Sequence, residues 1–584
     1  MEQGPWGECY TGIYQASVFI HNIDRNTKFT EEERADYKAQ ARFVRAYYYW
    51  LLLRKYGPIP IMPDEGMDFT QEYEDLAVAR SSYDEVANFI ASEMQIAAKD
   101  LPLERGPLAI ARPTRGAALA ARAKVLLYAA SPINNPHPSD TEKFSDMVNF
   151  DGKHLIAQEY DETKWARAAA AALDVMELPG NQADGKRYDL YHLGRRTSGS
   201  VGYPVTIEPY KDGDFSEHTW PDGWQDIDPF ESYRSLFDGE VSASDNYELI
   251  FTRGQNQSSE GVDIMVVHQL PTSATGWNTH GLTQKMCDAY YMNDGSDCPG
   301  KDLEIGGANG TVRETGFVDE TNQENYPELG EHRIGVSLQY VQREPRFYAS
   351  VAYNGSTWFL LNESNDANRN QQVFYYRGMG NGYNNNNAFW LRTGIGVKKF
   401  VHPYDTHENR DMGRIRRKAE PAIRYAEILL IYAEALNELD GSHNIESWDG
   451  SKTYTIKRDI NEMKKGIRPI RCRAGIPDYT AAEYASKDLF REKIKRERMI
   501  ELMGEGHRYY DLRRWKDAEK EESQPIYGCN TLMTEQYKDL FHIPVVVPSL
   551  PTNFSRKMYF WPISHSELKR NRLLTQNPGW TYND

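Results

Sequence analysis

The sequence predicts a mainly α protein: a scaffold of tetratricopeptide-like helical pairs, with a loop-rich half containing short strands. Three observations carry this. Long capped helical patterns fill the first third of the chain. The same apolar and small-residue pattern returns after residue 420. Between them lies a long stretch rich in Gly, Asn, Tyr and Trp with only short strand-like pieces.

The elements follow in order. Thr30 is an N-cap, and Glu33 three residues later completes a capping box. Tyr37, Ala41, Val44, Tyr48 and Leu51/Leu52 then recur at helical spacing until Gly57-Pro58 stops the helix. Ser81-Ser82-Tyr83-Asp84-Glu85 caps a second helix running to about Lys99, ended by Pro102. Thr114 opens a third, closed by Pro132, whose Ala117, Ala118, Ala120, Ala121 and Ala123 permit close packing in an αα-hairpin. A fourth spans roughly Thr163 to Glu177. Glu248–Phe251 and Phe347–Val351 read as strands, and Asn381-Gly382-Tyr383 with Asn384 to Asn387 as a polar loop. Arg424 to Ala435 repeats the pattern of the Ala123–Ala130 helix, and another helix spans about Lys487 to Met503. The expected organisation is one domain over 1–584, with a scaffold at about 10–178 and 421–515. The loop-rich half is at about 179–420, and the segment 516–584 packs on the scaffold.

Composition excludes several classes. With 68 basic against 85 acidic residues the net charge is −17, and no basic stripe offsets it. Nucleic acid is therefore not an expected partner. No run of 18 apolar residues is present to span a bilayer as a helix. The five cysteines show no CxxC pair and no zinc spacing. Cys287 and Cys298 have the option of pairing, and isolated thiols are the favoured state. No cofactor or metal is expected. Asp294-Gly295-Ser296-Asp297 lacks the remaining ligands of a calcium loop and reads as a turn. His507 and Asp511, four apart on a helix, read as parts of a buried hydrogen-bonded network tying the helix end to the core in preference to a metal or acid–base pair. Neither HExxH nor GxSxG occurs.

The 38 Tyr and 12 Trp stand out, because such rings offer a flat apolar face and a polar edge. Trp277 with Asn278 and His280, in the loop-rich half, has the form of a sugar platform: a ring to stack on and polar groups beside it. Trp220 and Trp224 supply two more rings in the turn Trp220-Pro221-Asp222-Gly223-Trp224-Gln225. Trp358 and Trp390, which flank strand-like segments, are assigned to neither a platform nor packing.

Four ordered segments resemble the SusD/RagB family of outer-membrane nutrient-binding lipoproteins. They are Ala41–Tyr49 leading to Tyr56-Gly57-Pro58-Ile59-Pro60; Arg424–Leu430 with Ala433-Glu434-Ala435; Arg496-Glu497-Arg498 through Glu505-Gly506-His507-Arg508-Tyr509-Tyr510-Asp511-Leu512-Arg513-Arg514-Trp515; and Trp561-Pro562-Ile563 with Glu567 and Gln576–Trp580. By this resemblance Trp50, Trp515 and Trp561 fall in family framework motifs and are assigned to packing. Trp6, Tyr10 and Ile13 match the family's W-x3-Y-x2-I element, which adds Trp6 to the candidate ligand residues, although Cys9 stands where starch binders carry Asn. The resemblance implies a non-catalytic protein on the extracellular face of the outer membrane, held by a lipid anchor. It implies capture of an oligosaccharide or polysaccharide and delivery to a SusC-like TonB-dependent transporter. Peptide capture for a RagA-like importer is the alternative, and hydrolysis by a carboxylate pair a third reading. The implied signal and anchor cysteine are not found in Met1–Cys9, where Pro5-Trp6-Gly7-Glu8 is no lipobox.

Overall fold

The structure, a computed structural model, describes residues 5–65, 70–195, 206–252, 261–307, 309–384 and 388–581. Asn385–Asn387 of the polar loop lie outside the described residues.

Five helices open the fold: α1 (Trp6–Asn22), α2 (Glu31–Tyr56), α3 (Tyr83–Asp100), α4 (Arg115–Ala130) and α5 (Thr163–Met176). Each packs on the next. The starts of α2 to α5 are the expected ones, whereas α1 begins at Trp6, ahead of the first helix read from the sequence. Thr30 and Glu33 form a reciprocal capping box, as do Ser82 and Glu85, and Thr114 accepts from Ala117 N. Each such cap satisfies amides that a helix start leaves without partners. Every residue of α4 except Arg115 and Arg122 is buried, which its run of alanines makes sterically possible.

Short helices interrupt the loop-rich half: α6 (Pro229–Arg234), α7 (Val262–Gln269), α8 (Gln284–Ala289) and α9 (Pro345–Ser350). Its strands are paired only in twos. β1 (Leu249–Thr252) joins β6 (Pro421–Arg424), β2 (Val351–Ala352) joins β5 (Gly396–Val397), and β3 (Ser356–Trp358) joins β4 (Gln371–Val373). The segment Phe347–Val351 is a correction to the sequence reading. Pro345 sits at the first helical turn, where its fixed φ suits a helix start, and the residues up to Ser350 are helical; only Val351 enters a strand.

The scaffold resumes with α10 (Tyr425–Asn437), α11 (Ile460–Arg473), α12 (Ala481–Ala485), α13 (Lys487–Glu501) and α14 (Arg508–Arg514). Helix α10 is buried along its whole length and packs on α4 and α5, so the stack closes across the insertion. The buried Lys124 of α4 meets Glu427 of α10 at 2.8 Å.

A buried ion network fastens the two halves. Arg346 of α9 reaches Glu344 at 2.7 Å, Glu497 at 2.6 Å and Glu501 at 2.9 Å. Arg424 contacts Glu248 at 2.7 Å, Glu501 at 2.8 Å and Glu505 at 2.8 Å. Arg473 bridges Glu248 and Glu501, and Lys399 meets Glu505 at 2.8 Å. Burial alone would raise these carboxyls. The arginines outweigh it, and Glu497, Glu501 and Glu505 are all held below the usual carboxylate range. All five cysteines are buried free thiols. No helix among the described residues is long and apolar enough to cross a membrane.

Candidate functional site

The site begins at the end of α7. After Leu270 the chain turns through Thr275 (φ 56°) and Gly276 and runs back along the helix. Gly276 is required there, because a Cβ would lie 2.2 Å from the Leu270 carbonyl oxygen. The returning amides fill the carbonyls that a helix end leaves open: Trp277 N donates to Val267 O at 2.8 Å, Thr279 N to His268 O at 2.9 Å and Asn278 N to Leu270 O at 3.0 Å. Asn278 takes a left-handed φ of 48°, which Asn tolerates better than most residues. Its side chain donates to Asn381 O at 2.8 Å, while Asn381 Oδ1 accepts from Thr272 N at 2.8 Å. Asn381 thus clips the loop after residue 378 onto the loop after α7.

That junction gathers rings from both loops. Trp277 stacks on Phe389, with centroids 5.9 Å apart and planes at 14°. His268 meets Trp277 edge-on at 4.5 Å and stacks with His280 at 4.7 Å and 6°. Tyr383 and Trp390 form a second pair at 4.7 Å, and the Arg392 guanidinium lies 4.4 Å from the Trp390 ring centroid. Phe389 is 47% exposed. Burial lowers the pKa of His268; burial, then the neighbouring His268, pushes His280 down to about 4. Both imidazoles are therefore neutral at pH 7, compatible with parallel stacking. The exposed Phe389 ring, backed by Trp277, can stack a flat apolar face, and the Tyr, Arg and His side chains of the same loops are hydrogen-bonding groups.

The six residues expected from sequence fall in three places. Trp277 and His280 belong to this cluster, both half-buried. Asn278 is 2% exposed; its amide is spent on Asn381, so it shapes the site without facing a ligand. Trp220 and Trp224 lie elsewhere, on a loop docked to α11 through Arg468 and the Asp222 carbonyl. Trp220 is half-buried against His192 at 5.0 Å. Trp224 has 0% exposure and stacks on Phe215 at 6.1 Å. It has no face to offer a sugar, which corrects the expectation for that ring. Trp6 is 8% exposed, packed edge-on to Tyr56 at 5.0 Å. It forms the floor of a groove of about 850 Å³ walled by Trp561, Trp580, Tyr509 and Arg513.

Sequence reasoning left Trp390 unassigned and passed over Phe389, Tyr383 and His268. The only local signal was a polar Asn-rich run bounded by rings at Tyr383 and Phe389-Trp390. The other motifs are structural. Asp511 is bound by Arg498 at 2.9 Å and Arg514 at 2.7 Å, and His507 faces Glu427 at 3.5 Å. Asp294 accepts from Ser296 N at 2.9 Å in a turn at Gly295 (φ 81°), and Asp297 pairs with Arg496. Among the described residues no group of three His, Cys, Asp or Glu is placed to hold a metal.

Comparison with known proteins agrees with this architecture. A model described as the SusD family matches residues 233–580, and one described as starch-binding, associating with outer membrane, matches residues 2–127. SusD-like protein P2 of Formosa agariphila is 31% identical over 163 residues, 27% of this chain and 25% of that one. SusD-like protein P25 of the same organism is 28% identical over 93 residues, 16% of this chain and 17% of its own length. The chain therefore matches a quarter or less of these curated relatives. The solved structure of BT4246 superposes with a TM-score of 0.72 at 23% identity, covering 98% of this chain and 89% of the other. A SusD-like carbohydrate binding protein of Bacteroides fragilis NCTC 9343 gives a TM-score of 0.61 at 20% identity, covering 98% and 85%.

Proposed function

Because this chain belongs to the SusD family, we propose that it is a non-catalytic, cell-surface glycan-binding protein that captures an oligosaccharide or polysaccharide at the Phe389–Trp277 platform. The observation that carries this reading is the exposed Phe389 ring backed in parallel by Trp277 at 5.9 Å. A pyranose presents axial C–H groups on one face and hydroxyls around its rim. The ring stack suits the first, and Tyr383, Arg392 and His280 suit the second. The likeness to a B. fragilis carbohydrate binding protein, and of the N-terminal region to a starch-binding family, supports the ligand class. In this reading the protein is lipid-anchored at the outer membrane, and the captured glycan passes to a SusC-like TonB-dependent transporter, without a bond being broken.

The test is calorimetry or affinity electrophoresis against a panel of polysaccharides, with Phe389→Ala and Trp277→Ala beside the wild type. Loss of one stacking ring is expected to weaken a bound glycan by about tenfold, a cost near 1.4 kcal/mol. Binding that survives both substitutions unchanged removes the site. Binding of oligopeptides in place of glycans replaces the ligand class, and release of reducing ends removes the non-catalytic reading.

A further inference from the structure

The charge around the platform runs against that of the whole molecule. The chain carries 85 acidic residues in 584 and a net charge of −17. Yet residues 264–287 and 367–404, the two segments that build the platform, contain no Asp or Glu. They contain Lys285, Arg369, Arg377, Arg392, Lys398 and Lys399.

Three of these cations are neutralised from outside. Lys285 pairs with Glu521, Arg369 with Asp366 at 2.8 Å and Lys399 with Glu505 at 2.8 Å. Lys398 is turned towards the Tyr353 ring, 5.9 Å from its centroid. Arg377 and Arg392 are exposed and make no ion pair among the described residues. Arg392 lies over Trp390, the residue that follows Phe389. Arg377 immediately precedes Gly378, whose amide donates to Tyr383 O at 2.9 Å, so it flanks the Tyr383–Trp390 pair.

Two of the carboxylates that approach from neighbouring elements are compensated or buried. Glu408, near the 272–275 turn, is bound by Arg414 at 2.6 Å. Glu363 is 2% exposed. Glu535 and Asp539 of the C-terminal segment act on Tyr376, the neighbour of Arg377, whose amide donates to Met533 O at 2.9 Å. A guanidinium lying on a ring at the rim of a stacking surface is an arrangement suited to receiving a carboxylate or sulfate through two parallel N–H donors.

We propose that the ligand of this platform is an anionic glycan, whose uronate carboxylate or sulfate ester is held by Arg392, with Arg377 as the second cation. This rests on the glycan reading of the platform and narrows it. A neutral sugar would leave Arg392 without a counter-charge, whereas an anionic one supplies it.

The experiment titrates the full chain with polygalacturonate, ι-carrageenan, amylopectin and poly-L-glutamate at low and moderate salt. The variants are Arg392→Gln, Arg392→Lys, Arg377→Gln and Phe389→Ala. The expected result is that one or both anionic polysaccharides bind at least about tenfold more tightly than amylopectin, that salt weakens this binding, and that Arg392→Gln removes about tenfold while Arg392→Lys restores part of it. Polygalacturonate alone identifies the carboxylate as the group held, and carrageenan alone the sulfate. If amylopectin binds as tightly, or if Phe389→Ala weakens a glycan that Arg392→Gln leaves untouched, the anionic proposal falls while the platform stands. If poly-L-glutamate binds as tightly and is lost with Arg392→Gln, an acidic peptide replaces the glycan. If no polysaccharide binds, or Phe389→Ala has no effect on one that does, the platform reading fails and the proposal with it.

Discussion

The segment Arg496–Trp515 and the loops around Trp277 and Phe389 reverse the usual placement of side chains. The first is dense in Arg and Glu, and Glu497, Arg498, Glu501, Asp511 and Arg514 are all buried. The second is rich in rings, and it keeps Phe389 47% exposed. The difference lies in what each group is paired with. Buried charges persist only where partners and hydrogen bonds replace water, and here each carboxylate meets one or more guanidiniums. Exposed large rings have no such structural reason to face solvent, which makes them candidates for function.

The sharpest way to break the comparison is to cut the network. Arg346→Met leaves Glu344, Glu497 and Glu501 without a shared cation in a site of 0% exposure, and removal of one partner of a buried network typically costs about 3–5 kcal/mol. A denaturant midpoint that hardly moves would mean that the network contributes no stability.

Trp224→Ala is expected to cost about as much, 3–5 kcal/mol, by opening a cavity under Phe215. Phe389→Ala is expected to change stability by less than about 1 kcal/mol while weakening glycan binding. Thermal melts and titrations of the two variants should therefore give opposite patterns. A Trp224 variant that folds normally but loses ligand would move the site to the α11 side.

Acid supplies a milder probe of the same network. Glu434, Glu497, Glu501, Glu505 and Asp511 have folded pKa values below their unfolded ones, arginine charges outweighing burial in each case. Their stabilisation is fully present above the unfolded value of about 4.3 and is lost as pH falls through the folded values. Unfolding free energy should thus fall steeply below about pH 4, and Arg346→Met should flatten that slope. The platform behaves differently. His280 stays neutral until about pH 4, so its contribution is present above its unfolded pKa of about 6.5 and declines between there and about 4. NMR titration of its ring should show no inflection near 6.5.

A small effect confined to stability is expected at the turn. Asp294→Ala removes the acceptor for Ser296 N and should cost about 0.5–1.5 kcal/mol, with ligand binding unchanged.

Much of the scaffold was legible because its signals are local. Thr30 with Glu33 and Ser82 with Glu85 are capping boxes within four residues of sequence, and the structure holds both. Phe347–Val351 was misread because its apolar residues are buried on all sides, which erases the helical period, and because Pro345 as a helix start was overlooked. The site was only partly legible. Trp224 and Phe389 look alike as residue types in loops, and their exposures of 0% and 47% are set by long-range docking. Asn381, more than a hundred positions from Thr272, clips the platform together through one side chain. Nothing in either stretch of sequence announces that contact.

The stacking of α10 on α5, with residues 177–424 looped out between them, bears on how such a protein can vary. The entropy of closing a flexible loop grows only with the logarithm of its length, about 0.6 kcal/mol for each doubling. A bundle that has already accepted an excursion of this size would be disturbed little by lengthening or trimming its exposed turns. The helices must nevertheless wait for the whole excursion to be synthesised before α10 can dock, so the register of the bundle is completed late and from a distance. The fold thus divides its labour along the chain: the helices hold the framework, and the loop-rich half carries the candidate site.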